Sequence, residues 1–170
     1  MLEFKTPQIE DKAWVDQCFK HLKTMNCDYT FGNMFVWSTE YSTKICRFKD
    51  FFICSWGMGK ETNFGIPVGK GDFKEAVEEV IKYAKANDIM PRFYGVTEAY
   101  VEMLNENFPD AFQFLYDESY GDYIYEVEKM ASLKGKKYHG KRNHITNFKK
   151  NNPNWSFETI NKDNIDDCIN

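Results

Sequence analysis

Lys137, Lys141, Arg142, Asn143 and His144 stand within eight positions of one another, a cluster of cations and amide donors suited to holding an anion. They belong to a longer stretch, Lys129 to Phe157, with eight Lys/Arg and no Asp/Glu, while the rest of the chain holds 14 basic and 26 acidic residues. The net charge of −4 therefore hides a local anion-facing surface on an acidic body. No carboxylate lies at a spacing within that helix that would neutralise the cluster. At about 100° per residue, Tyr138, Ile145 and Phe148 fall on one helical face, with Lys141 among them and Arg142 at its edge. Lys141 has two readings. Its stem snorkels past the aromatics, or its ammonium meets an anion held against that face.

A second candidate is Ile66-Pro67-Val68-Gly69-Lys70-Gly71, a glycine-bearing loop ahead of an expected helix. Backbone amides and the helix dipole can cradle a phosphate at such a place. Asp72, next door, would cap the same amides and repel a phosphate. Lys70 is followed by Gly71 rather than Ser or Thr, so this is no Walker loop. Gly69, Lys70 and Gly71 therefore read as a structural turn, a degenerate phosphate loop, and no cofactor is expected.

No catalytic set stands out. His139 and His144 are five apart and point to different sides of a helix, and Ser132 has no base at a readable spacing. Asp117, Glu118 and Asp122 fit solvated strand ends better than an acid/base pair. Cys18, Cys27, Cys46, Cys54 and Cys168 form an odd set with no C-x-x-C pair, which reads as buried or idle thiols and no metal site.

The elements that must position these residues fit within one ordinary domain and its extension, at 170 residues. No apolar run approaches the roughly 20 residues of a membrane-spanning helix. The first residues lack the layout of a signal peptide, so a cytoplasmic chain is expected. Leu2 to Lys5 alternates like a short strand, and Thr6-Pro7 offers a cap before a helix carrying Trp14, Val15, Cys18, Phe19 and Leu22. Phe31, Met34, Phe35 and Tyr41 suggest a second helix. Strands follow at 43–48, 51–56 and 63–68, separated by turns. Asp72 then caps an amphipathic helix with Phe73, Ala76, Val77, Val80, Ile81 and Ala84 on its apolar face. A strand at 92–96, a helix at 97–107 and strands at 112–116 and 123–127 complete the pattern.

Strand, two helices, three-strand meander, helix, strand, helix and a terminal strand pair is the element order of the GNAT acyltransferase fold. The expected class is α/β (α+β): a mixed, mostly antiparallel sheet flanked by helices. The likeness raises the expectation of acyl transfer by analogy alone. GNAT enzymes hold the acyl-CoA pyrophosphate in an Arg/Gln-x-x-Gly-x-Gly/Ala loop, and here Ile66 stands in the leading position.

Beyond a helix from Gly135 to about Asn151, Asn152-Pro153-Asn154 leads into Trp155 to Ile160, which repeats the strand-like opening of the chain. Ile165 and Ile169 then open an apolar helical face that stops at Asn170. The expectation is a second copy of the domain starting near Trp155 and cut short; the alternative is a frayed tail.

The run Asp122-Tyr123-Ile124-Tyr125, then Leu133-Lys134-Gly135-Lys136-Lys137-Tyr138-His139 and Lys141-Arg142-Asn143-His144-Ile145 with Phe148, spans 27 positions. It resembles a bacterial family related to the C-terminal domain of phosphatidylglycerol lysyltransferase, and Phe31 to Trp37 and Pro67 to Asp72 also look like its signatures. In that family and in the similar Fem-type aminoacyltransferases, two GNAT domains are joined by such a helix, with the transfer site at the second domain and the cleft. The resemblance implies a first domain over 1–128, a basic joining helix over 129–153 and the start of a truncated second domain over 154–170. It implies an aminoacyl-tRNA donor and an amine or hydroxyl acceptor on a lipid headgroup or another small molecule. A chain holding only the first half is expected to be inactive alone. Two rival readings stay open, a non-catalytic tRNA- or anion-binding module and a structural half-domain. A steep salt dependence of binding would mark the nucleic-acid reading.

Overall fold

A computed structural model describes residues 2–169, with Tyr120 described by its backbone alone; Met1 and Asn170, where the expected last helix stops, lie outside the described residues. The chain divides into two compact units, Met1–Asp122 and Tyr123–Asn170.

The first unit is built on the strand pair β1 (Lys44–Phe48) and β2 (Phe51–Trp56), joined at Lys49, which takes a left-handed φ of 52°, and Asp50. Their register pairs Lys44 with Ser55 and Phe48 with Phe51. β3 (Asn63–Gly65) and β4 (Val68–Gly69) both run antiparallel to β2, and β5 (Phe93–Tyr94) lies parallel to β3. The sheet order is β1-β2-β3-β5, with β4 also on β2. The mixed, mostly antiparallel sheet expected from the sequence is therefore present, and helices flank it.

Strand β2 is buried on both faces, which explains why Phe51 to Cys54 is an unbroken apolar run rather than an alternating one. On one face, Phe52 and Cys54 join Ile45 against Val15 and Cys18 of α1 (Lys12–Phe19) and Phe31 and Met34 of α2 (Phe31–Trp37). On the other, Phe51 and Ile53 meet α3 (Phe73–Ala86) through Phe73, Ala76, Val77, Val80 and Ala84. Tyr100 and Leu104 of α4 (Glu98–Asn107) extend this second cluster.

Helix α3 has the expected start. The Asp72 carboxylate accepts a hydrogen bond from Glu75 N at 3.0 Å, supplying one of the four amides that a helix start leaves unpaired. The Glu75 side chain binds Lys49 rather than reaching back to the cap. At the other end Asp88 turns left-handed, and Ile89 N returns to Ala84 O at 2.9 Å.

The structure corrects the sequence reading in several places. Of the expected strand Leu2 to Lys5, only Lys5 pairs, by two backbone bonds of 2.8 and 2.9 Å to Ile45. Thr6-Pro7 does not open the first helix; a 3-10 turn, Ile9–Asp11, intervenes. The Asp11 carboxylate fixes it by accepting from Gln8 N at 2.9 Å, Trp14 Nε1 at 2.9 Å and Lys5 Nζ at 2.6 Å. The expected strand 63–68 divides at Ile66-Pro67, because proline has no N–H to give the ladder.

The strands expected at 112–116 and 123–127 are absent. Those residues are irregular around a 3-10 turn, Glu118–Tyr120, and Val127 instead begins α5 (Val127–Ser132). Alternating side chains make a segment competent for a strand, but a ladder forms only where a partner edge receives its N–H and C=O groups. The helix expected from Gly135 begins as a 3-10 turn, Lys136–Tyr138, and continues as α6 (His139–Asn151). Trp155 to Ile160 forms no strand, and the apolar face at Ile165 lies on a 3-10 turn, Ile165–Cys168.

Candidate functional site

In the glycine loop, Gly69 is held in β4 opposite Phe51, and a Cβ there would come within 2.1 Å of Asp50 O. Lys70 N donates to the same carbonyl at 3.3 Å. Gly71 takes a φ of 135°, a region L side chains rarely adopt, and leads into the Asp72 cap. The loop's glycines are thus accounted for by close backbone approach and a turn. Beside it lies a recess of about 70 Å³ lined by residues including His21, Lys23, Gly71 and Tyr100. At about 30 Å³ per water in the liquid, it has room for a few water-sized groups. A larger depression of about 430 Å³ is lined only by α3 side chains, Glu78 to Lys85, one helix flank without an opposing wall.

The basic cluster lies in the second unit, on α6 and the turn before it. Arg142 is its best-fixed member. Its guanidinium Nη1 donates to the carbonyls of Leu133 and, at 2.9 Å, Gly135. Leu133 closes α5 with a left-handed φ of 47°, and Gly135 follows at 95°. Arg142 therefore pairs the Leu133 carbonyl at the end of α5 and shares the Gly135 carbonyl with Tyr138 N, clamping the turn into α6. Its remaining N–H groups form no hydrogen bond among the described residues.

Lys137 sits over the Tyr138 ring at 5.9 Å from the centroid, and Asn143 Nδ2 lies 3.2 Å from His139 Nε2. Lys141 and His144 are exposed, and neither has a side-chain partner among the described residues. Lys141, Ile145 and Phe148 follow one another at positions i, i+4 and i+7 of one face, as the helical spacing requires. The first turn of α6 contains no acidic residue. Cations there oppose the helix dipole, at about 0.3–1 kcal/mol each, and an incoming anion would relieve that cost.

One feature escaped the sequence reading. Asn152 closes α6, with its N and Nδ2 both donating to Phe148 O at 2.9 Å, and Trp155 N returns to Asn152 O at 3.1 Å. Trp155 thereby folds back edge-on to Phe148, with centroids 6.3 Å apart, and the Lys149 ammonium covers it at 4.9 Å. The Asn-Pro-Asn turn followed by an aromatic was the available signal. Among the described residues, no three His, Cys, Asp or Glu side chains converge to hold a metal, and no helix is long and apolar enough to cross a membrane.

A mixed, mostly antiparallel sheet with helices on both faces is consistent with a GNAT-like fold. The family defined by phosphatidylglycerol lysyltransferase, C-terminal, matches residues 19–170, and the chain belongs to it. The match makes this an acyl/aminoacyl transferase-related domain. The crystal structure of a conserved protein of unknown function from Bacteroides thetaiotaomicron VPI-5482 is similar to it, at 31% identity and a TM-score of 0.85. That similarity covers 99% of this chain and 57% of the other, so the chain spans little more than half the length of that relative. Among curated proteins the sequence finds no significant match.

Proposed function

We propose that this chain is the first of two tandem GNAT-like units of an aminoacyltransferase, inactive alone, whose complete form moves an aminoacyl group from aminoacyl-tRNA to an amine or hydroxyl, such as a lipid headgroup. The observation that carries this reading is the family match over 19–170 in a chain that spans 57% of its solved relative. The proposed division is a first unit over 1–128, a joining helix over 129–153 and the opening of a second unit from 154.

The proposed anion-facing set is Lys137, Lys141, Arg142, Asn143 and His144, with Arg142 holding the turn through Nη1 and offering its free N–H groups outward. Each charge-assisted contact to a phosphate or carboxylate is worth about 1.5–3 kcal/mol. In the product of the complete reading frame, Lys141→Met, which keeps the apolar stem, should weaken substrate binding at least tenfold. Lys150→Met, exposed near the end of α6, should change it little. Unchanged affinity and turnover in both Lys141→Met and Arg142→Met would sink the site.

The exposed pairing of Lys149 with Trp155 favours a second reading, a module that binds tRNA without catalysis, because a ring beside a cation is how single-stranded bases are met. Salt-sensitive tRNA binding by the complete protein, with no transfer to any amine or hydroxyl acceptor, would select it.

A further inference from the structure

The guanidinium of Arg142 is engaged along one side only. Nη1 donates to the carbonyls of both Leu133 and Gly135, which takes up its two N–H groups and leaves the other three of a guanidinium's five. Nε–H and the neighbouring Nη2–H point the same way from another edge, at the spacing of two oxygens on one carboxylate or phosphate. Among the described residues the second unit's ion pair joins Lys129 to Glu126 and leaves Arg142 without a carboxylate.

The engaged side fixes the free one. Nη1 holds the plane of the guanidinium against the turn, so an oxyanion meeting the other edge finds it already oriented, which lowers the ordering cost of binding. The turn is unfavourable backbone in its own right. Leu133 takes a φ of 47°, in the left-handed region that leucine rarely adopts, and Gly135 follows at 95°. Backbone bonds across it run from Leu133 N to Lys129 O at 2.9 Å and from Tyr138 N to Gly135 O at 3.3 Å. Turn and fork thus share one rigid plane, and by linkage whatever steadies one steadies the other.

We propose that Arg142 is the receptor for one phosphate group, free or terminal on a larger molecule, two of whose oxygens take Nε–H and Nη2–H, and that binding there closes the turn 133–138. This rests on the anion-facing reading above and adds to it the chemistry of the ligand and its coupling to the backbone. A carboxylate has no oxygen left once both meet the fork. Such a phosphate keeps others, and Lys134, Lys136, Lys137 and Lys141 stand on the same turn and helix start to meet them, in a stretch without Asp or Glu from Lys129 to Phe157.

The test is hydrogen exchange in the product of the complete reading frame. Saturating inorganic phosphate is expected to slow exchange of 133–138 about tenfold, the weight of one charge-assisted pair, whereas chloride at equal ionic strength does not. Arg142→Lys keeps the charge but lacks the fork, so it should lose this protection, with unchanged exchange of the β1 and β2 amides showing that it folds. Lys141→Met should raise the phosphate concentration needed without removing the effect. Glycerol phosphate that protects equally assigns the site to the terminal phosphate of a larger molecule, and protection by inorganic phosphate alone assigns it to the free ion; both support the fork. Acetate protecting as well as phosphate, protection that survives in Arg142→Lys, or no protection in the wild type overturns it. The anion-facing set itself is judged by substrate affinity in Lys141→Met and Arg142→Met, which none of these outcomes decides.

Discussion

Asp11 is the only buried carboxylate among the described residues, and it gathers the N-terminal segment through bonds from Gln8, Trp14 and Lys5. Burial pushes its pKa up, but the three hydrogen bonds and the Lys5 charge outweigh burial and hold it below its ordinary value of 3.8. The folded state therefore favours the ionised form. Stability from this group is present above the unfolded value and is lost as pH falls through the folded one. Asp11→Asn is expected to cost about 1–3 kcal/mol at neutral pH, and the gap from wild type in urea unfolding should narrow near pH 3. A gap that stays constant with pH would show that the carboxylate's charge is not what matters.

The cysteines permit a simpler check. Burial pushes up the thiols of Cys18, Cys46 and Cys54, the last to about 12, whereas Cys27 and Cys168 are exposed. Maleimide under native conditions should label Cys27 and Cys168 and reach the other three only in denaturant.

Among the elements, α3 and the β1–β2 pair carry the fold. Asp72→Ala removes the cap bond and should cost about 0.5–2 kcal/mol in unfolding free energy. Ile53→Ala, in the strand covered on both sides, should cost about 2–5 kcal/mol. Equal, small effects from the two changes would argue against a sheet packed between helix layers. These were the elements most legible in the sequence, since the Asp72 cap, the spacing of Phe73, Val77, Val80 and Ala84, and the Lys49-Asp50 turn are local signals. The strands expected at 112–116 and 123–127 were not legible in the same way. Tyr123, Ile124 and Tyr125 have strand-forming side chains, yet whether an edge exists to pair with them is a tertiary fact. The same limit applied to the site. A helical wheel puts Arg142 at the edge of an apolar face but cannot show that the chain before it turns back so that Leu133 and Gly135 present their carbonyls to its guanidinium.

At the scale of the whole molecule, the two units differ in what protects their backbones. The first surrounds its sheet with three clusters of buried side chains, and the second buries Leu133 alone among its described residues. Amides of β1 and β2 should therefore exchange only with global unfolding, while those outside α6 in the second unit exchange close to the rate of an unfolded chain.

The parallel contact between β3 and β5, which sets Phe64 beside Phe93 and Gly65 beside Tyr94, has a consequence for how the chain reaches its native state. The β1–β2 pair closes over a two-residue turn, but β5 can join β3 only after α3 has crossed the sheet, and closing that loop costs entropy before any contact repays it. The hairpin and α3 are expected to form the nucleus, with β5 arriving after the rate-limiting step. Stopped-flow refolding should then find Val77→Ala slowing folding, while Phe93→Ala leaves the folding rate almost untouched and speeds unfolding. The order of assembly would place the two-residue edge strand β5 as the last part of the sheet to lock and the first to let go.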